Sequence, residues 1–145
     1  MEDFSIKTLR ERGLRVTPQR QAIVQFLKGN TTHPTAETVY REMLKIFPRI
    51  SFATVYKTLA TLVETQDIQE LDIDPQRKRF DPCTAPHHHF YCKVCGKVFD
   101  VVYNAHDTLS VDLLTTKSVN GHQVDAIDIN YKGVCKDCRK KLKRL

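Results

Sequence analysis

Apolar side chains recur with a helical period through the first 64 residues of the chain, and residues that favour helix ends interrupt them. The pattern predicts four helices, over residues 4–12, 18–28, 35–47 and 52–64. The last three each have, at or just before their first residue, a hydroxyl side chain that can cap a helix N terminus, namely Thr17, Thr35 and Ser51. This part of the chain is therefore expected to be a small helical unit.

The fourth predicted helix follows the third after a short break at Pro48, and its two faces differ. Its apolar positions predict one inward face, made of Val55, Leu59 and Leu62. Its first turns then leave polar and aromatic side chains outward: Thr54, Tyr56, Lys57 and Thr58. Two helices joined by a short turn, the second with such a leading end, are typical of a helix-turn-helix whose second helix enters the major groove of DNA.

Two short segments of alternating apolar and polar residues come next, at 68–72 and 78–81, around the turn DPQRK at 74–78. They predict a β-hairpin. A basic hairpin directly after a recognition helix is typical of the wing of winged helix-turn-helix proteins, where it contacts phosphate. The following segment PCTAP at 82–86 interrupts both periodicities and predicts a hinge, so the first domain is expected to span residues 1–81.

Residues 87–145 have the pattern of a small α/β unit. A strand is predicted over 88–102, a helix over 106–117 and a second strand over 123–131. So few elements leave a sheet edge and an apolar face uncovered, and pairing with a second copy of the chain would cover both. The fold class is therefore predicted to be α+β, with an N-terminal winged helix-turn-helix domain followed by a small α/β dimerisation domain.

Charge separates the two parts of the chain. Residues 1–62 hold ten Lys and Arg against five Asp and Glu, whereas residues 63–145 hold thirteen against twelve. A polyanion such as DNA is expected to dock on the basic part. No apolar run approaches the ~18 residues of a membrane span, and the first residues lack the order of a signal peptide. A cytoplasmic protein without membrane contact is expected, in which cysteines stay reduced.

Four of the five cysteines form two CxxC pairs, Cys92 with Cys95 and Cys135 with Cys138. Two such pairs supply the four thiolates of a closed, tetrahedral, structural zinc site. The 39 residues between the pairs exceed the roughly 15–20 of a compact zinc ribbon, so a folded segment is expected between them. A CxxC dithiol can alternatively be a redox site, but such motifs normally stand alone. The fifth cysteine, Cys83, is expected to be a small buried hydrophobe.

Histidines and carboxylates crowd around the first CxxC pair. Residues 81–100 contain Asp81, Asp100 and three consecutive histidines at 87–89, a density of metal-ligating groups that a surface segment rarely carries. Imidazole nitrogen and carboxylate oxygen suit Fe(II) or Mn(II), although Zn, Ni and Co bind such groups at least as tightly. A second metal site, different in kind from the thiolate site, is predicted.

Six segments of the chain form a specific set of motifs when taken jointly: GLRVTPQR, HPTAETVY, ISFATVYKTL, RFD, HHHFYCKVCGKVFD and GVCKDC. They resemble the ferric uptake regulator (Fur) family of metal-dependent bacterial repressors over nearly the whole chain. The resemblance implies a homodimer that represses transcription by binding palindromic double-stranded operator DNA. It implies no enzymatic activity.

Within that family the chain is most similar to the peroxide-responsive branch, because Asp100 stands where iron sensors tend to have Glu. The resemblance implies that regulatory Fe(II) or Mn(II) is held by His33, Asp81, His87, His89 and Asp100. It also implies that hydrogen peroxide is the signal, with His33 and His87 as the oxidised residues. Metal would draw the two domains together across the hinge, so that the dimer matches the fixed spacing of operator half-sites.

The candidate DNA contacts lie in the basic part of the chain and in the hairpin turn: Arg15, Gln19, Arg20, Ser51, Thr54, Tyr56, Lys57, Arg77 and Lys78. Tyr56 is expected to discriminate operator sequence, whereas Arg77 and Lys78 are expected to contact phosphate. Lys57 is neither the arginine usual in iron regulators nor the asparagine associated with peroxide regulators.

Two other functions remain open. One is a repressor that responds to iron, manganese or zinc without oxidation, and the other is a thiol oxidoreductase or metallohydrolase, which nothing in the first domain predicts. Iron sensors often have a further site that would use His88 and Asp107, but Pro86 and Ile127 stand at its other positions. Three histidines are expected to face solvent: His88, His106 and His122.

Overall fold

A computed structural model describes residues 6–11, 13–103 and 115–144, and the chain divides into two compact units, Met1–Thr84 and Ala85–Leu145. The start of the helix predicted over 4–12 and the predictions made for His106 and Asp107 lie outside the described residues, as does most of the helix predicted over 106–117. In the part of the chain that is described, no helix is long and apolar enough to cross a membrane.

The first unit contains four helices, α1 (Ile6–Glu11), α2 (Pro18–Leu27), α3 (Ala36–Leu44) and α4 (Phe52–Glu64). The predicted caps are confirmed, because the hydroxyls of Thr17, Thr35 and Ser51 accept hydrogen bonds from the first-turn amides of α2, α3 and α4. Helix α3 ends at Leu44, before the predicted Phe47. Its last backbone bonds tighten there, since the N–H groups of Ile46 and Phe47 both donate to the Met43 carbonyl.

The core of the first unit is formed by apolar side chains from all four helices, together with residues of the hairpin that follows. The inward face predicted for α4 is confirmed, because Val55, Leu59 and Leu62 are fully buried. The prediction that Thr58 faces outward is wrong. Thr58 is also fully buried, and its hydroxyl donates to the Thr54 carbonyl at 2.7 Å, which satisfies the polar group inside the core.

A two-stranded antiparallel hairpin completes the first unit and forms the wing. Its strands are β1 (Gln69–Leu71) and β2 (Arg79–Asp81), with Glu70 opposite Phe80. The strands are shorter than the predicted 68–72 and 78–81. Phe80 packs into the helical core, so the wing is attached to the helices through its second strand.

The described part of the second unit contains a small hairpin and a three-stranded sheet, in the order β4 (Val98–Val101), β3 (His88–Cys92) and β7 (Asn130–Gly133). Strands β3 (His88–Cys92) and β4 (Val98–Val101) are antiparallel, so the single strand predicted over 88–102 is two strands joined by a turn at the first CxxC pair. Strand β7 (Asn130–Gly133) runs parallel to β3. The other elements in the described part of this unit are β5 (Ser118–Val119), β6 (His122–Gln123) and helix α5 (Lys136–Lys143).

The strand predicted over 123–131 is wrong for residues 124–129, which are irregular. Ile129 shows the physical reason, because its N–H donates to a side chain, His88 Nδ1, at 3.0 Å. Its carbonyl accepts the N–H of His89 at 3.1 Å, just before the ladder of β3 and β7 begins. Across its described residues the chain is therefore an α+β protein.

Candidate metal centres and nucleic-acid interface

The four paired cysteines lie together in the second unit. Cys92 ends β3, Cys95 lies in the turn after it, Cys135 is the N-cap residue of α5, and Cys138 lies in the first turn of that helix. Their sulfur atoms all lie within 4.8 Å of one another, and the Sγ atoms of Cys95 and Cys135 are 3.9 Å apart. Zn–S bonds of about 2.3 Å in a tetrahedron separate the sulfurs by roughly 3.8 Å, so this donor set fits zinc.

Backbone amides point at the sulfur of Cys92. The N–H groups of Cys135 and Cys95 donate to Cys92 Sγ at 3.3 and 3.5 Å. Burial acts to raise the pKa of Cys92, but these amides and that of Val94 outweigh it and lower the pKa to about 6. Burial and hydrogen bonds to the other three thiols raise the pKa of Cys138 to about 12. The amides therefore stabilise a thiolate at Cys92, whereas the neighbouring sulfurs disfavour a negative charge at Cys138. A divalent cation among the four sulfurs would offset this repulsion and allow further thiols to ionise.

A histidine and an aspartate form a buried pair in the first unit. His33 Nε2 lies 3.4 Å from Asp81 Oδ2, and neither side chain is exposed to solvent by more than 3%. The other carboxylate oxygen of Asp81 accepts the N–H of Cys83 at 2.9 Å, which fixes the orientation of the carboxylate. One nitrogen and one oxygen donor thus face each other from different parts of the sequence.

Two histidines and an aspartate form a second cluster, in the second unit. Asp100 Oδ1 lies 3.1 Å from His87 Nε2 and 3.5 Å from His89 Nε2. His89 and Asp100 are direct cross-strand partners in β3 and β4, so the sheet register brings them together. His87 Nδ1 lies 2.7 Å from the Ala85 carbonyl oxygen, to which it donates, and this tautomer leaves the lone pair of Nε2 for a metal. These donors fit Fe(II), Mn(II) or Zn(II).

Two neighbouring predictions need correction. His88 does not face solvent, because its ring is half-buried against Tyr103 and its Nδ1 accepts the Ile129 N–H. That nitrogen is used to hold the irregular segment 124–129 and is unavailable to a metal. Cys83 is half-buried where full burial was predicted, and its carbonyl accepts a hydrogen bond from Gln69 Nε2 at 2.7 Å.

The leading end of α4 presents the aromatic and basic residues that were proposed to contact DNA. Tyr56 is 57% exposed and stacks on Phe52, and Lys57 next to it is also exposed. The hydroxyls of Ser51 and Thr54 lie 2.9 Å apart, and the Ser51 hydroxyl accepts the Thr54 N–H as the N-cap of the helix. Near α2, Arg15 is exposed while Gln19 and Arg20 are half-buried. Their roles in DNA binding stay predictions.

The two basic residues of the wing turn, defined as residues 74–78, are in different states. Lys78 Nζ lies against Glu70 of β1 and against Asp72, which follows that strand, whereas Arg77 is exposed and has no ion pair among the described residues. These acidic partners raise the pKa of Lys78. Of the two side chains, Arg77 is therefore the more available to an anion, a distinction that the sequence pattern did not make.

The sequence pattern also missed Asp74 and Arg79. The guanidinium of Arg79 donates to Asp74 Oδ2 from Nε at 3.0 Å and from Nη2 at 2.9 Å, and its Nη1 donates to the His33 carbonyl at 3.3 Å. One signal was available, because Arg79 and Asp81 are two residues apart on a predicted strand and must share a face.

A family model and two known proteins match this chain over most of its length. The model of the ferric uptake regulator family matches residues 11–128. The peroxide-responsive repressor PerR of Staphylococcus saprophyticus is 38% identical over 143 residues, covering 97% of this chain and 93% of the relative. The peroxide operon regulator of Bacillus subtilis is 38% identical over 137 residues, covering 94% and 92%.

A solved structure is also similar to this chain. A zinc-bound manganese uptake regulator superposes with a TM-score of 0.70 at 26% identity, covering 90% of this chain and 98% of that chain. Since the family model spans most of the chain and the relatives match it nearly end to end, this chain belongs to the ferric uptake regulator family.

Proposed function

We propose that the chain is a metal-dependent, DNA-binding transcriptional repressor that senses hydrogen peroxide. The observation that carries this proposal is the aspartate at position 100, whose Oδ1 faces two imidazoles in a chain similar to two peroxide-responsive regulators over nearly its full length. The names of these relatives suggest peroxide as the signal. The carboxylate and the two imidazoles provide ligands for a metal that would react with it.

DNA binding is supported by the exposed leading end of α4 and by the basic charge of the first part of the chain. Tyr56 is proposed to contact base edges in the major groove, and Arg77 in the wing turn is proposed to contact phosphate. A homodimer would present two such units to a palindromic operator, whose half-site spacing follows from the two-fold symmetry.

The regulatory ligands are proposed to be the five that the family resemblance implies: His33, Asp81, His87, His89 and Asp100. Support comes from each unit separately. The first unit holds one buried imidazole against one carboxylate, and the second unit holds two imidazoles against one carboxylate oxygen. Cys92, Cys95, Cys135 and Cys138 are proposed to bind structural zinc, which leaves the N and O donors for Fe(II) or Mn(II).

Peroxide sensing is proposed to be oxidation of a ligating histidine, His33 or His87. Bound Fe(II) supplies one-electron reduction of hydrogen peroxide, which Mn(II) does not perform readily. In the net reaction one oxygen atom of peroxide is transferred to a ring carbon of the imidazole and the other leaves as water. The imidazole loses two electrons and its affinity for metal. Loss of the metal then releases the DNA, because only the metal-bound form is proposed to bind the operator tightly.

The test compares Fe(II)-loaded and Mn(II)-loaded protein, purified without oxygen and then treated with peroxide. The Fe(II) form is expected to gain one oxygen atom on His33 or His87 and to release DNA, whereas the Mn(II) form stays bound and unmodified. Peptide mass spectrometry locates the added oxygen. First oxidation at Cys92 or Cys95, with both histidines intact while DNA is released, would show a thiol switch and contradict the proposal.

A repressor that responds to metal supply without oxidation is the second candidate. The similarity to a zinc-bound manganese uptake regulator favours it, as does the ability of these donors to bind several metals. DNA binding by the Fe(II) form that survives peroxide would support this candidate instead.

A further inference from the structure

Three consecutive residues of β2 hold the His33–Pro34 segment, each through a different group. Arg79 Nη1 donates to the His33 carbonyl at 3.3 Å. The Phe80 N–H donates to the Pro34 carbonyl at 2.9 Å. Asp81 Oδ2 lies 3.4 Å from His33 Nε2. Alternate residues of a strand share a face, so Arg79 and Asp81 both face this segment while Phe80 packs into the core.

His33 depends on this support because its backbone is in an unusual conformation. Its φ is +53°, in the left-handed region that residues other than glycine rarely adopt, and the residue is fully buried. Such conformations persist only where surrounding contacts impose them. The contacts from β2 therefore determine where the imidazole Nε2 points, and that atom is a proposed metal ligand.

The same guanidinium is fastened to the wing turn by Asp74. One oxygen of the Asp74 carboxylate accepts both Nε and Nη2 of Arg79, and the other accepts the N–H of Gln76 at 2.9 Å. Asp74 is only 8% exposed, so water competes little for these bonds. One carboxylate thus connects the turn that carries Arg77 to the residue that holds His33.

We propose that Asp74 and Arg79 are positioning residues that couple the metal ligand His33 to the DNA-contacting wing turn. This inference rests on the proposed function and deepens it. Metal bound by His33 and Asp81 restricts both the His33 segment and β2, and the Arg79–Asp74 pair transmits that restriction to residues 74–78. By linkage, a wing turn held on DNA strengthens metal binding by the same factor. In this proposal, metal binding affects the wing turn through contacts that lie entirely within the first unit.

The experiment is hydrogen exchange followed by mass spectrometry on the full, zinc-loaded chain with and without Mn(II). Mn(II) is expected to slow exchange of the 74–78 amides severalfold in the natural protein, and this response is expected to be lost in Arg79→Gln. Arg79→Lys, with one point charge in place of the planar fork, should retain part of it. If Arg79→Gln does not fold, Arg79→Lys and Asp74→Asn carry the test.

Asp72→Asn is the matched control. It removes a carboxylate from the same hairpin, but among the described residues Asp72 pairs only with the exposed Lys78 side chain and does not contact His33. Its exchange response to Mn(II) should equal that of the natural protein. The Kd for Mn(II), measured by calorimetry well below the melting temperature, should rise roughly tenfold in Arg79→Gln and stay unchanged in Asp72→Asn. A purely structural role would lower the Tm and leave both readouts unmoved.

The coupling is overturned if Mn(II) protects residues 74–78 equally with and without the Arg79 side chain. The proposed function fails separately, if His33→Ala binds Mn(II) as tightly as the natural protein. Mn(II) binding that requires His33, together with a wing turn that does not respond, would refute only the coupling.

Discussion

At the scale of single residues, Asp100 is the side chain on which the type of signal is proposed to depend. One of its oxygens faces two imidazoles, and the residue lies on β4, directly opposite His89. A strand position fixes the Cα, so the length of the side chain decides how far the carboxylate advances toward the imidazoles. Asp holds it back by one methylene compared with Glu.

Asp100→Glu is expected to bind Mn(II) and DNA but to respond poorly to peroxide, because the longer carboxylate fills or crowds the position that peroxide needs. The measurement is the rate of oxygen incorporation into histidine in the Fe(II) form, with DNA binding followed in parallel. Asp128→Glu, an exposed aspartate outside both clusters, is the control and should behave like the natural protein. Equal oxidation rates in all three proteins would remove Asp100 from this role.

Asp74→Asn is expected to make the free energy of unfolding depend less on pH in the acidic range. Burial acts to raise the pKa of Asp74, but the Gln76 amide and the Arg79 guanidinium outweigh it and hold the pKa below its usual value of 3.8. A carboxylate whose pKa is lower in the folded state stabilises the fold above its unfolded pKa, and that contribution is lost as the pH falls through the folded value. The substitution should therefore lower the free energy of unfolding by about 2 kcal/mol at pH 7 and by progressively less as the pH falls below 3.8.

Urea unfolding at pH 7 and at successively lower pH values measures this difference. Asp72→Asn is the comparison, because the side chain of Asp72 is 82% exposed and surface ion pairs contribute little. The same loss of stability at every pH would show that the Asp74 charge is not responsible.

At the scale of elements, the two strands of the wing place opposite charges beside each other. Glu70 and the adjacent Asp72 approach Lys78 across the hairpin, while Arg77 at the tip stays exposed. The helix before the wing presents Tyr56. We therefore predict that α4 supplies the sequence-specific part of DNA binding and the wing supplies the non-specific part.

Arg77→Ala is expected to weaken binding to all DNA and to reduce the salt dependence by about one released counterion, whereas Lys78→Ala has a smaller effect on both. Tyr56→Ala should weaken operator binding more than binding to random duplex. Titrations at several salt concentrations with operator and random DNA separate the three variants. An equal loss for Arg77→Ala and Lys78→Ala would contradict the masking of Lys78.

Local signals predicted much of this fold, because helix caps and CxxC pairs act over three or four residues. Thr58 was misplaced for a physical reason. It lies three residues after Val55 on the inward face, and a backbone carbonyl within the same helix makes its burial inexpensive. The irregular course of 124–129 depends on His88, some forty residues away, and no periodicity carries that information.

The candidate sites also differ in how far the sequence predicted them. The thiolate site followed from spacing alone, whereas His33 followed only from resemblance, because its neighbours in sequence give no sign of a metal ligand. Its left-handed backbone and its contact with Asp81 arise from the packing of β2. Contacts between distant segments were thus the part that the sequence could not predict.

At the scale of the whole molecule, the four thiols join the two ends of the second unit. Cys138→Ser is expected to lose zinc and the proposed dimer together, because structural zinc contributes ~10 kcal/mol or more to folding in small sites. Zinc content and gel filtration measure the two effects. Cys83→Ser, which removes a cysteine outside the cluster, should keep both zinc and dimer. A stable dimer of Cys138→Ser without zinc would contradict the role of the site.

The separation of the two CxxC pairs also has a consequence during synthesis. The 39 residues between Cys95 and Cys135 must be made before the second pair exists, which takes roughly 2–8 s at about 5–20 residues per second. Throughout that interval the first pair is a nascent vicinal dithiol that can close to a disulfide under oxidation. The age of a molecule would then decide its response to peroxide. Older molecules would be modified on histidine, and chains still on the ribosome would be diverted at cysteine, which pulse-labelling with a thiol-alkylating reagent can distinguish.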